Sequence, residues 1–514
     1  MTLREKAAQV VFTRLGSNMP PPVTVAEDRD RVAALLDRCP LGGLVLFNGD
    51  LATTPAHLDA LQARVDVPLL VAADIERGAG QQLRGATVFP HARAFGALGE
   101  EAEAAVEAAA RATAREARAA GVHITFGPVA DVNLDPHNPI IAIRAFGEEP
   151  GAVARLVQAY VRGARAGGLL TAAKHFPGHG NTRRDSHAEL PVVTSGRDAL
   201  LRTDLVPFRA AIEAGVDLMM TAHVAFPALD PSGRPATASR PILHDLLRDE
   251  LGFDGAVITD SLLMGAIRDA YPDAGAQAVA LVQAGVDILL DQPDPEGAVD
   301  GLVRAVEEGR LAEARLEEAV GRVQRLRQRA FGAGGPVPDR AVPDLPAHQA
   351  LARRLARRAV DVRAAGPGLL PLDPERAARE GMLAVLVQPH RSRLDPPEQP
   401  LGAALRAAFP GVTYAEVGPE TEEARYRALA QQAGSAAYVL LALVVKPAAW
   451  HAFGLTPRQQ RFVASLAARP GVVLAALGSP VVLEAFPQAA ARLCTYSDVP
   501  VSQEALVAVL REGR

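Results

Sequence analysis

At 514 residues the chain is too long for one hydrophobic core, and at roughly 100–200 residues per domain it should hold two or three. It is 49% apolar and 22% charged, carries a net charge of −5 and is only 4% aromatic, which argues against a basic, aromatic-lined nucleic-acid surface. Cys39 and Cys494 are too few for a disulfide framework or a zinc cluster, and no apolar run nears the ~20 residues of a membrane span.

Residues 1–6 are interrupted by charge and lack the apolar core of a signal peptide, so a cytoplasmic location is expected. From there, short apolar runs alternate with longer Ala-rich amphipathic stretches. Strands are expected at 43–47, 68–74, 123–132, 169–175, 217–223, 255–260 and 287–291. Helices are expected at 100–120, 152–166, 198–214 and 274–284, with Gly121, Gly167, Gly215 and Gly285 as left-handed terminators. The strands read as unbroken apolar runs, the pattern of a parallel sheet covered on both faces. This rhythm over residues 1–330 predicts a TIM-like (β/α)8 barrel.

The Gly/Pro-rich segment 331–346 reads as a linker, followed by a helix at 347–362 whose basic run 352–363 is a solvated face. Together 331–365 connect to a smaller domain at 366–514. Apolar runs at 382–388, 437–445 and 472–477 predict a three-layer α/β sandwich there.

Barrel chemistry sits where strands end. Here the expected strand ends carry Asp74, Asp131, Lys174-His175, His223 and Asp260. Any one of these could simply cap a helix or satisfy a turn, but five on one rim predict an active site. The densest stretch is Lys174-His175-Phe176-Pro177-Gly178-His179-Gly180-Asn181-Thr182, followed by Asp185-Ser186-His187. His175 and His179 are four apart, as in a helical metal pair, yet Pro177 and Gly178 break any helix between them. Without a His-Glu-x-x-His motif or a cysteine cluster, neither a metal nor a cofactor is expected.

This stretch closely resembles the signature of family 3 glycoside hydrolases, in the β-N-acetylglucosaminidase branch. Val257-Ile258-Thr259-Asp260-Ser261-Leu262-Leu263-Met264 is similar to that family's nucleophile strand. Asn138-Pro139-Ile140 through Arg144-Ala145-Phe146-Gly147 is similar to a sugar-contacting segment. One motif departs: the family's Asp-x-Glu-Gly-Gly is Asp74-Ile75-Glu76-Arg77-Gly78-Ala79-Gly80 here, with Arg84 the next arginine.

The resemblance implies a retaining enzyme that removes terminal N-acetylglucosamine, typically from peptidoglycan fragments. Asp260 would be the nucleophile, His187 the acid/base and Asp185 its partner. Imidazole, with an ordinary pKa near 6.5, can give and take a proton near neutrality. Asp74, Lys174, His175 and Arg144, with either Arg84 or Arg77, would hold sugar hydroxyls, and Asp131 and His223 would lie at or behind the rim. The second domain is expected to supply no catalytic carboxylate, Asp395, Glu398, Glu420 and Glu422 included. Two other readings stay open: a phosphorylase on the same scaffold, since a neutral histidine does not repel phosphate, and a non-catalytic saccharide-binding protein.

Overall fold

The computed structural model describes residues 1–332, 343–392 and 395–513. Most of the expected linker, residues 333–342, and two residues of the expected 391–395 loop, Arg393 and Leu394, lie outside them. By residue contacts the chain falls into two compact units. One comprises Met1–Thr87, Glu103–Asp135 and Ala145–His348; the other comprises Val88–Ala102, Pro136–Arg144 and Gln349–Arg514.

Among the described residues of the first unit, eight parallel strands form one sheet. They are Val11–Leu15 (β1), Gly43–Leu46 (β2), Leu70–Ala73 (β3), Ile124–Thr125 (β4), Leu170–Phe176 (β5), Leu218–Thr221 (β6), Ala256–Ile258 (β7) and Leu289–Leu290 (β8), in the order β8-β1-β2-β3-β4-β5-β6-β7. The two edge strands meet through a single parallel bridge, Ile258 to Ile288. There Ile288 N–H donates to Val257 O at 3.0 Å and Thr259 N–H to Ile288 O at 3.1 Å. The sheet thus closes into the TIM-like barrel.

Inward-facing Phe12, Val45, Leu70, Ala72, Ile124, Leu170, Met220 and Ile258 fill its interior. Helix Glu313–Phe331 contributes Leu326, Ala330 and Phe331 to the same core, and its Arg327 donates to the carbonyls of Pro68 and Gly42 just before β3 and β2. That helix therefore covers the N-terminal ends of the strands, and the chemistry is left to the opposite rim.

The sequence reading differs from the structure at several elements. β1 was not among the expected strands, because Thr13 and Arg14 interrupt its apolar run; Arg14 spends its side chain on Asp291. The expected strand 123–132 shortens to Ile124–Thr125. Pro128 has no N–H to give a ladder, and the chain rejoins the sheet only at the Val129–Lys174 bridge. The helix expected at 198–214 divides into Arg197–Arg202 and Val206–Glu213, with Pro207 in the first turn of the second. Gly121, Gly215 and Gly285 take the expected positive φ, but the helix ending at Ala166 uses Gly168, not Gly167.

The second unit holds Asp361–Ala365 (β9), Met382–Val387 (β10), Thr413–Val417 (β11), Tyr438–Leu443 (β12), Val472–Ala476 (β13) and Ala491–Cys494 (β14). The sheet order is β9-β14-β13-β12-β10-β11, parallel except for β9 on β14. Alternate residues serve opposite faces, as strand geometry dictates. Leu383, Val385 and Val387 pack with helices Glu423–Ser435 and Pro457–Ala467, while Met382, Ala384 and Leu386 pack with Pro400–Ala408 and Pro500–Glu512. The result is the three-layer sandwich. Its strand β9 takes residues expected to end the 347–362 helix, which stops at Arg358. No helix among the described residues is long and apolar enough to cross a membrane.

One buried charge cluster pins the barrel floor. Asp287, 0% exposed, accepts from Val257 N–H at 2.9 Å, from Arg248 at 2.9 Å and from Arg315 at 2.8 Å, with Arg322 at 3.4 Å. Burial pulls the Arg248 guanidinium down to about 10 against the attraction of Asp287. Asp287→Ala would leave the Val257 N–H without its acceptor and take from Arg248, Arg315 and Arg322 the buried anion they share, so it should cost about 3–5 kcal/mol. A thermal unfolding transition unchanged from wild type would contradict that.

Candidate active site

The C-terminal rim gathers its polar groups around β5. The ladder between β5 and β6 pairs Ala173 with Met219 and then Phe176 with Thr221, so β5 carries one extra residue, a bulge at Lys174-His175. Bulges re-aim side chains beside active sites. Here two consecutive residues are both buried and both find acidic partners. Lys174, 2% exposed, lies between Asp74 (2.7 Å) and Glu76 (2.6 Å). His175 turns Nδ1 to Asp131 at 2.7 Å, and its Nε2 lies 4.0 Å from Asp260 Oδ2. A carboxylate only accepts, so His175 Nδ1 carries the proton.

Asp131, 0% exposed, also accepts the backbone N–H groups of His175 at 3.2 Å and His179 at 2.7 Å. Burial would raise its pKa, but His175 and His179 more than offset that and hold it below its ordinary value.

The loop after β5 carries the second pair. Gly178 has φ 138° and lies so close to Asp204 that a Cβ would come within 2.9 Å of it. Gly180 lies flat on the backbone after β4, where a Cβ would meet Val132 O at 1.7 Å. His179 Nε2 bonds Ser186 Oγ at 2.9 Å. Beyond Ser186, His187 Nδ1 donates to Asp185 Oδ1 at 2.7 Å, and that same oxygen accepts His187 N–H at 2.8 Å. Gly265 N–H, five residues past Asp260, donates to His187 O at 3.2 Å and ties the loop to the start of the short helix Gly265–Arg268 that follows β7.

Asp260 follows β7 and is 23% exposed on its side chain. Burial acts to raise its pKa. The charges that His175 and His223 carry once protonated, with that of Lys174 and the Ser261 N–H donating to Oδ1 at 2.7 Å, outweigh it and bring the carboxyl down to about 2. His223 is buried and held below its ordinary pKa, chiefly by that burial, so it is neutral at pH 7. Its Nε2 donates to Ser261 O (3.1 Å), and its Nδ1 lies 2.7 Å from the Thr237 hydroxyl, which also reaches Ala222 O (3.0 Å).

Of the expected site residues, the structure thus brings Asp74, Asp131, Lys174, His175, His223 and Asp260 together on the rim, and places Asp185 and His187 on the loop tied to it. Arg84 stands apart: it is 84% exposed and pairs with Asp50 at 3.1 Å. Arg77 is half-buried three residues after Asp74. Arg144 belongs to the second unit, where its guanidinium donates to Ile140 O at 3.0 Å.

The sequence reading missed Glu76, Arg14 and Asp291, and also Asp204, which burial raises to about 6. Asp291 had a signal: it closes the 287–291 run just as Asp260 closes 255–260. Arg14 had none, lying in a strand that the apolar pattern did not reveal.

A parallel barrel whose rim holds a strongly acidic, half-buried carboxylate and a separate histidine–aspartate pair has the equipment for nucleophilic and acid/base chemistry on a polar substrate. Comparison with known proteins gives the family. Residues 2–326 match the model of the glycosyl hydrolase family 3 N-terminal domain. The chain is 34% identical over 377 residues to a β-N-acetylglucosaminidase/β-glucosidase of Cellulomonas fimi, covering 70% of this chain and 65% of that protein, so it spans just under two thirds of that relative. It is 34% identical over 320 residues to a β-hexosaminidase of Nitrosomonas eutropha, covering 59% of this chain and 90% of that one. A solved family 3 β-N-acetylglucosaminidase from Paenibacillus superposes with a TM-score of 0.87 at 32% identity, over 100% of this chain and 97% of that one. The chain belongs to glycosyl hydrolase family 3.

The acidity of Asp260 has a direct consequence. A carboxyl held near 2 is ionised throughout the neutral and mildly acidic range, and the stability its ionised form contributes is fully present above its ordinary value of 3.8 and lost as the pH falls from there through about 2. An NMR titration of the Asp260 side-chain carboxyl should therefore find it ionised down to about pH 4. A carboxyl resonance that titrates above about 4 would contradict that low value.

Proposed function

We propose that this protein is a retaining exo-β-N-acetylglucosaminidase. In this reading it removes non-reducing terminal N-acetylglucosamine through a covalent glycosyl-aspartate, with peptidoglycan fragments as the source of substrate. The observation that carries the reading is the His187–Asp185 pair on a loop tied to Gly265, just beyond Asp260. The names of the relatives above support the choice of sugar.

Retaining glycosidases need a nucleophile and a group to protonate the leaving oxygen. Asp260 attacks the anomeric carbon as the His187 Nε2 proton passes to the departing oxygen. Asp185 keeps the other ring proton on Nδ1 and so fixes the tautomer. His187 then takes a proton from water as that water attacks the glycosyl-aspartate, releasing the sugar and restoring Asp260. Lys174, Asp74 and His175 bind sugar hydroxyls, and Asp131 and His223 act by fixing His175 and Ser261. Arg77 is favoured over Arg84 as the further contact, because Asp50 holds Arg84. The second unit contributes no acid/base group: Asp395 accepts from Ser392 N–H, and Glu398 pairs with Arg406.

His187→Ala should slow substrates with poor leaving groups far more than activated aryl glycosides, and Asp185→Asn should show a milder form of the same bias. Equal losses across a leaving-group series would assign His187 to binding instead. N-Acetylglucosaminides should exceed glucosides in kcat/KM by at least about tenfold, or 1.4 kcal/mol of differential transition-state binding. The comparison should be run with and without phosphate. A preference for glucosides would overturn the choice of sugar, and release of a sugar 1-phosphate would identify a phosphorylase.

A further inference from the structure

β7 and β8, the strands that close the barrel, are three and two residues long and share one bridge. The carboxylate on which the chemistry is proposed to depend thus follows a strand with few ladder bonds on one side. Around the next residue, Ser261, the missing constraint is supplied by side chains. Its N–H donates to Asp260 Oδ1 at 2.7 Å, its carbonyl accepts from His223 Nε2 at 3.1 Å, and its hydroxyl donates to Asp291 Oδ2 at 2.7 Å.

Asp291 follows β8, and its side chain is almost wholly buried. Its N–H donates to Phe12 O on β1 at 2.9 Å. Its carboxylate is gripped at both oxygens by Arg14 of β1, at 2.8 Å from Nε and 2.6 Å from Nη2. A planar guanidinium bonded in this way fixes the carboxylate in plane and position. The ends of three adjacent strands, β1, β8 and β7, are therefore joined in one chain of bonds running Arg14, Asp291, Ser261, Asp260.

We propose that Asp291, locked by Arg14, is a positioning residue for catalysis: it fixes Ser261 so that the Ser261 N–H holds Asp260 in its attacking orientation. This rests on the reading of Asp260 as nucleophile. None of the bonds from Arg14 to Ser261 need touch the sugar. Losing the clamp should therefore slow the attack and leave ground-state binding in place, since small misplacements of a reacting group are enough to cost orders of magnitude in rate.

The experiment is a double-mutant cycle on the full-length protein with Ser261→Ala, Asp291→Ala and the pair. The readouts are kcat, KM and the rate at which a 5-fluoro-N-acetylglucosaminyl fluoride inactivates the enzyme, with the labelled peptide mapped in each variant. Ser261→Ala keeps the backbone N–H and removes only the hydroxyl. It should lower kcat and the inactivation rate by about tenfold to a hundredfold, with KM within about twofold. Because Asp291 acts through Ser261, the double variant should be no worse than the more impaired single one. Ser261→Thr, which restores a hydroxyl, should recover part of the loss. Should Asp291→Ala fail to fold, Asp291→Asn takes its place in the cycle. The inference fails if Ser261→Ala labels Asp260 at the wild-type rate, or if the two losses multiply. A label on any other residue would instead overturn the nucleophile assignment itself.

Discussion

Asp131 is a carboxylate shut away from water that must satisfy its oxygens entirely from the protein, and it does so with the groups that build the site. It takes the N–H of His175, the ring N–H of the same residue and the N–H of His179. An ionised group in such a place is tolerated only if fully bonded, so its presence obliges the bulged end of β5 and the start of the following loop to hold one geometry. Everything downstream inherits that: the direction of His175 Nε2 toward Asp260, the path of the loop over Val132, and the position from which Asp185 and His187 hang.

The rest of the rim extends the same logic outward. Lys174 is neutralised by Asp74 and Glu76, His223 is kept neutral by burial, and Asp260 keeps its charge because cations and one N–H outweigh its desolvation. Two acidic environments are thus made different within one rim. Asp260 is held far into its ionised range, and Asp185 is spent on a histidine. On the proposed reading, that division of labour would let a nucleophile and a proton donor coexist without two carboxylates competing for one proton.

Much of this was legible in the sequence, because barrels put chemistry at strand ends and strand ends can be found from apolar runs. Asp74, Asp131, Lys174, His175, His223 and Asp260 were located that way, and the loop pair Asp185 and His187 by resemblance. The reading failed where a side chain's role contradicted the local pattern. Arg14 spoils the apolar signal of β1 because it is committed to Asp291, 277 residues away. Asp291 ends its strand as visibly as Asp260 does, yet nothing in sequence shows that Ser261 is its partner. Arg84 was one of two candidate sugar contacts, and nothing in the sequence shows that it pairs with Asp50. Such pairings are facts of three-dimensional closure, and no periodicity encodes them.

The central claim is that Asp260 forms a covalent bond to the sugar while His187 manages the proton. It is tested most directly by trapping the intermediate with a 5-fluoro-N-acetylglucosaminyl fluoride, digesting the inactivated protein and sequencing the modified peptide by mass spectrometry. The account predicts a single adduct, on Asp260, which forms in His187→Ala as well because a fluoride leaving group needs little protonation. A stoichiometric adduct on another carboxylate, or turnover without any adduct in a variant lacking Asp260, would contradict it.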